Sequence, residues 1–121
     1  MRNISFSMST EAVRHRSKTV TRRLGWWDLQ PGTILQAVEK AQGLRKGERV
    51  KPICLVRVVR VEVQELYKVE DLGHAEMVRE GFPDLTPWQF IVMFAKANNL
   101  GESAGFAAVN RIEFEYLDGP A

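Results

Sequence analysis
Between positions 14 and 23 the chain reads Arg14-His15-Arg16-Ser17-Lys18-Thr19-Val20-Thr21-Arg22-Arg23, a run in which cationic groups alternate with hydroxyl donors. Phosphate oxygens suit both, because guanidinium and ammonium groups supply charge-assisted hydrogen bonds and hydroxyls fill the remaining acceptor positions. Of seventeen Lys and Arg residues, five fall within these ten positions, where even spacing would put one or two. No acidic residue interrupts the chain between Glu11 and Asp28. Trp26 and Trp27 follow closely, and an indole can stack on an unpaired base. The plainer alternatives are a solvated basic face without a specific ligand, and tryptophans that serve the core.

The rest of the composition sets bounds on that chemistry. A chain of 121 residues is about one domain's worth, and 45% hydrophobic with 26% charged residues matches an ordinary folded globule. A single domain over residues 1–121 is expected, with 117–121 the one stretch that need not fold. The net charge of +2 says little by itself, since binding depends on where charge lies. Acidic residues gather at 62–80 and 113–118, so a polarised molecule is expected. The start lacks the apolar segment of a secretory signal and no run is long enough to cross a bilayer, so a cytoplasmic protein without membrane contact is expected. One cysteine, Cys54, with His15 and His74 is too small a set for a metal site or an internal disulfide, and no cofactor is implied. Cys54 sits in an apolar run and reads as a small buried hydrophobe.

The elements that must position the basic run follow from periodicity. Ile4, Phe6 and Met8 alternate with polar neighbours as in a half-buried strand. Ser9 or Thr10 can cap a short helix over 11–16. The β-branched Thr19, Val20 and Thr21 favour extended chain over 18–23, and parity then sets Thr19, Thr21 and Arg23 against Lys18, Val20 and Arg22. Lys18 and Thr21 share a face only if the chain bends near Lys18. Pro31-Gly32 turns the chain into a strand over 33–38, and 40–51 reads as a flexible connection. The longest β-rich run is 53–63, with Val56, Val58, Val61 and Val63 as candidates for burial and a bulge where the phase changes midway. The spacing of Leu72, Ala75, Met77 and Val78 predicts one helix over 69–79, stopped by Gly81, with Glu80 at its end. Thr86-Pro87-Trp88-Gln89 predicts a capped helix from 87 to about 97, its stripe made of Trp88, Ile91, Val92, Phe94 and Ala95. Val109, Ile112, Phe114 and Tyr116 support a last strand. This order is an α+β pattern and suits a small closed or nearly closed barrel.

Ser17-Lys18-Thr19-Val20-Thr21-Arg22-Arg23, followed by Pro31-Gly32-Thr33-Ile34-Leu35 and later Glu80-Gly81-Phe82, resembles the ASCH domain, especially the small stand-alone ASCH proteins of bacteria and phages, over most of the chain from Ile4 through Phe114. That resemblance implies a PUA-like fold: a small mixed or antiparallel β-barrel of about five to six strands with two to three flanking helices. Members of the wider family are associated with binding RNA or modified bases. Some small bacterial ones are amidohydrolases that remove the acetyl group from N4-acetylcytidine. In those hydrolases the motif's Lys, its second Thr and a Glu ahead of the second helix form the catalytic set, which the resemblance carries to Lys18, Thr21 and Glu80. Glu76, one turn earlier, rivals Glu80. Outside the motifs the sequence departs from the hydrolase pattern, chiefly at 40–51 and around Pro87.

Two functions are therefore expected to compete. One is a binding module for RNA, single-stranded nucleic acid or a nucleoside. In it Arg14, Arg16, Lys18, Arg22 and Arg23 meet phosphate, Ser17, Thr19 and Thr21 add hydroxyl contacts, and Trp26 or Trp27 meets a base. The other is hydrolysis of an N4-acetylcytidine-type amide, where a lysine of depressed pKa activates Thr21 and Glu80 assists.

Overall fold
The computed structural model of the chain describes residues 1–40 and 44–117. Strand β1 (Asn3–Ser5) buries Ile4 and pairs in parallel with β3 (Ile34–Val38). Met8, expected to continue β1, is exposed, because the chain turns at Ser7-Met8 and Thr10 Oγ1 donates to the Phe6 carbonyl at 2.7 Å. That turn leads into α1 (Thr10–Arg14), whose one buried side chain is Val13. β2 (Val20–Arg23) runs antiparallel to β5 (Ala108–Tyr116), and β5 in turn pairs with the long β4 (Pro52–Glu65). A bulge falls between Val58 and Arg60, where the phase of the valines changes. Past it Val61 is half-buried and Val63 is exposed rather than buried, as the outer half of β4 leaves the core.

The sheet order is β1-β3-β4-β5-β2. It is an open, curled, five-stranded mixed sheet and not a closed barrel. Its edges, β1 and β2, meet through a side chain instead of a backbone ladder: Arg23 Nη2 donates to the Ser5 carbonyl at 2.5 Å. Ile4, Phe6, Leu35, Val56, Val58, Ile112 and Phe114 fill the inside of the curl.

The helix expected over 69–79 is two helices, α2 (Lys68–Leu72) and α3 (His74–Arg79), so four helices flank the sheet among the described residues. Gly73 breaks the run with φ 72° and ψ −160°, a conformation open to glycine. The rotation at this break leaves Leu72, Ala75 and Val78 exposed and turns Val69, Met77 and Glu76 inward. α4 (Pro87–Ala97) starts on a full capping box between Thr86 and Gln89. Its buried face is Phe90, Ile91 and Phe94, while Trp88 and Val92 are exposed. With Leu66, Val69, Met77 and Val109 these form a second core, each large side chain contributing about 1.5–3 kcal/mol of burial. The connection expected at 40–51 has no helix or strand at 44–51; residues 41–43 lie outside the described residues, as do 118–121 of the expected loose end. Cys54 is buried in the first core. None of the described helices is long and apolar enough to cross a membrane.

Candidate functional site
The basic run does not form one continuous strand. Arg16 takes a left-handed backbone (φ 59°), and the N–H groups of Ser17 and Lys18 both reach the Ala12 carbonyl, at 2.9 and 3.2 Å. Tyr116 Oη donates to the Lys18 carbonyl at 2.6 Å, and Thr19 N–H to the Arg79 carbonyl at 2.8 Å. The chain thus bends at Ser17-Lys18 and enters β2 only at Val20. Strand parity does not separate Lys18 from Thr21, and both line one cavity of about 370 Å³ together with Glu80. The cavity lies between the edges β1 and β2 and is closed on its far side by Phe82 and by Phe90, Met93 and Phe94 of α4.

One wall is an ion network. Lys18 Nζ donates to Glu80 Oε1 at 3.0 Å and to the Glu80 carbonyl at 2.5 Å. Arg22 Nη1 donates to Glu80 Oε2 at 2.9 Å, and Arg22 Nη2 to Glu76 Oε2 at 2.5 Å and Gln64 Oε1 at 2.8 Å. Arg111 grips Glu76 with two bonds, at 2.6 and 3.1 Å. Lys18, Arg22, Glu76 and Glu80 are 0–4% exposed at their side chains, so each charge depends on its partners for tolerance of the interior. Burial holds the Lys18 ammonium below its ordinary value, although Glu80 works against that shift. Burial also tends to raise the Glu76 carboxyl, but hydrogen bonds from Arg111 and Arg22 outweigh it and hold the group below its ordinary value. The Arg23 guanidinium is drawn down to about 10 by burial, again against Glu80.

This geometry corrects the expectation of a basic surface. Lys18 and Arg22 point inward, because Glu76 and Glu80 arrive from α3 to meet them. The acids absent from the sequence around the run are present beside it in space, and Arg79 and Glu113 pair across the same region, so the expected polarity is largely cancelled. Arg14 pairs with Glu39 and Glu11. Arg16 is exposed, with its guanidinium 5.5 Å from the Tyr116 ring. Ser17 is exposed and donates to the Ala12 carbonyl; Thr19 is half-buried. Trp26 lines the cavity and carries Arg2 over its ring at 4.0 Å, whereas Trp27 is 53% exposed and does not line it.

Sequence reasoning missed Arg111 and Gln64, and it placed Glu76 only as a rival to Glu80. The two glutamates share Arg22, and each takes one further cation, Lys18 for Glu80 and Arg111 for Glu76, as their i, i+4 spacing at the end of α3 permits. The signal for Arg111 was available: Asn110-Arg111 interrupts the apolar alternation of β5, and a polar pair inside a core strand needs buried partners.

No family model matches the chain, and no curated protein does. Solved structures do match. An ASCH domain from Lactobacillus crispatus superposes with TM-score 0.59 at 14% identity, over 95% of this chain and 79% of that one. A protein of Enterococcus faecalis under the family model DUF984 superposes with TM-score 0.57 at 16% identity, over 98% and 77%. The chain has the α+β fold of ASCH domains, which is PUA-like.

Proposed function
We propose that this protein binds one base-sized unit of a nucleotide or of an unpaired RNA strand in the cavity between β1 and β2. The observation that carries the reading is the cavity itself. At about 370 Å³ it lies at the small end of ligand pockets, and it joins aromatic walls, Phe6 and Trp26, to a buried polar wall of Lys18, Thr21 and Glu80. A base splayed from a strand or carried by a nucleoside needs that combination: a π-face to stack on and fixed donors for its edge. The ASCH-type fold agrees with it through the family's association with RNA and modified bases. With Arg14 paired to Glu11 and Glu39, Arg16 is the cation of the run left near the surface for phosphates, so the salt dependence of binding should be shallow, about one counterion.

A second reading, amidohydrolysis of an N4-acetylcytidine-type base, is favoured by the meeting of Lys18, Thr21 and Glu80 at one cavity. In it neutral Lys18 takes the proton from Thr21 Oγ1 as that oxygen attacks the acetyl carbonyl. The C–N bond then breaks, the exocyclic nitrogen takes the proton, and water releases acetate from Thr21. Incubation with N4-acetylcytidine, followed by chromatography, separates the two. The binding reading expects retention of the nucleoside with no cytidine or acetate formed. Product that disappears in Lys18→Ala would replace it with the hydrolase. No retention of the nucleoside or of short single-stranded RNA at low salt would sink the binding reading.

A further inference from the structure
The charges around the cavity do not balance. Three cations line it, Lys18, Arg22 and Arg23, against one carboxylate, Glu80. Adding the neighbours behind that wall gives four cations, with Arg111, against two carboxylates, with Glu76. Both Glu80 oxygens are taken by Lys18 and Arg22, and both Glu76 oxygens by Arg22 and Arg111. The excess is two positive charges, and Arg23 is the cation of the set that meets no carboxylate. Its Nε donates to Thr21 Oγ1 at 3.0 Å and its Nη2 to the Ser5 carbonyl, both neutral acceptors, and it pairs with no carboxylate among the described residues.

Free donors remain on this wall as well. Glu80 receives two of the three Lys18 ammonium hydrogens, which leaves one. Arg23 Nη1 has no partner among the described residues, and the Thr21 hydroxyl, which accepts from Arg23, keeps its own hydrogen. Donors without acceptors and cations without anions mark the place of an acceptor-rich, negatively charged group.

We propose that the ligand of this cavity is an anion, and that it seats a phosphate or carboxylate group against Arg23, Thr21 and Lys18. On the base-binding reading, on which this part rests, the ligand class is a nucleoside monophosphate rather than a bare nucleoside. The shared chemistry also admits a small free anion, which the experiment distinguishes.

Cytidine, cytidine 5′-monophosphate, inorganic phosphate and acetate are each titrated into the full chain, with tryptophan fluorescence and calorimetry as readouts. The monophosphate is expected to bind about tenfold or more tightly than cytidine, the size of one to two charge-assisted hydrogen bonds. Phosphate should compete with it. In Arg23→Gln the ratio between nucleotide and nucleoside is expected to fall to about twofold, and Arg23→Lys, which keeps the charge but not the fork, should restore part of it. Equal affinities for cytidine and its monophosphate in the unaltered protein would overturn the anion proposal and leave base binding standing; that comparison needs no variant to fold. Binding of phosphate or acetate that depends on Arg23, without binding of either cytidine ligand, would support the anion site and overturn base binding. No binding of any of the four overturns both.

Discussion
Lys18 carries both readings of the site, and its titration is what separates a resting ion pair from a base. Its ammonium is 2% exposed, burial lowers its pKa, and Glu80 restores only part of what is lost. The unfolded chain holds the proton to about 10.5, the folded one releases it earlier, so between those two values the unfolded state binds more protons. Folding stability contributed by Lys18 therefore rises as pH climbs from the lowered value to 10.5, and is level, at its least, below the lowered value. Urea denaturation of the native chain and of Lys18→Met from pH 7 to 10.5 tests this. The difference between them should move in favour of the native chain with rising pH, by about 1.4 kcal/mol per unit of depression. A flat difference would mean that Glu80 fully restores the ammonium, and a lysine so held is a structural cation with no role as a base.

The elements that hold Lys18 meet at Gly81, just past the end of α3. Gly81 has φ +86°, and a Cβ there would lie 2.8 Å from the Ala12 Cβ of α1 and 3.4 Å from that of Lys18. Gly47 has nearly the same backbone, φ +83°, with nothing near it. Gly47→Ala should cost only the left-handed strain, about 1 kcal/mol, while Gly81→Ala should cost about 1–3 kcal/mol more and shift Lys18. Urea midpoints give the comparison, and equal costs would show that α1 and α3 are free to move apart. This joint also marks how far the sequence could be read. Gly81 as a stop, the capping box at Thr86, the bulge after Val58 and the position of the last strand are local features, written in neighbouring residues. The contacts that make the site are not local: Lys18 and Arg22 reach Glu80 across 62 and 58 positions, and Arg111 reaches Glu76 across 35. Periodicity gave Leu72 and Val78 to a core face because it assumed one straight helix. The turn at Gly73 gave that face to Glu76 instead. A run free of acids then looked like a basic surface, because nothing in the run itself says which helix will fold against it.

At the scale of the whole molecule, the ion network is the seam between two cores, one inside the curled sheet and one under α2–α4. β5 runs through both, with Ile112 and Phe114 in the first and Val109 in the second, but on the side of β2 the contact with α3 is made by Arg22, Arg111 and Glu76. Apolar packing holds each half; charge holds the halves in register and keeps Glu80 in reach of the cavity. Removing Glu76 would leave two buried guanidinium groups with one fewer anion, a loss of about 3–5 kcal/mol. A domain of this kind has about 5–15 kcal/mol in total, so Glu76→Ala should bring the urea midpoint down by about a fifth or more. The double variant Glu76→Leu with Arg111→Met removes a charge of each sign and refills the space, and should recover most of that loss. If the single variant costs less than about 1 kcal/mol, water reaches the seam and the network is not what joins the halves. Recovery of stability in the double variant without recovery of ligand binding would assign the network to positioning Glu80 and Lys18, because the fold would then stand while the cavity wall had lost its alignment.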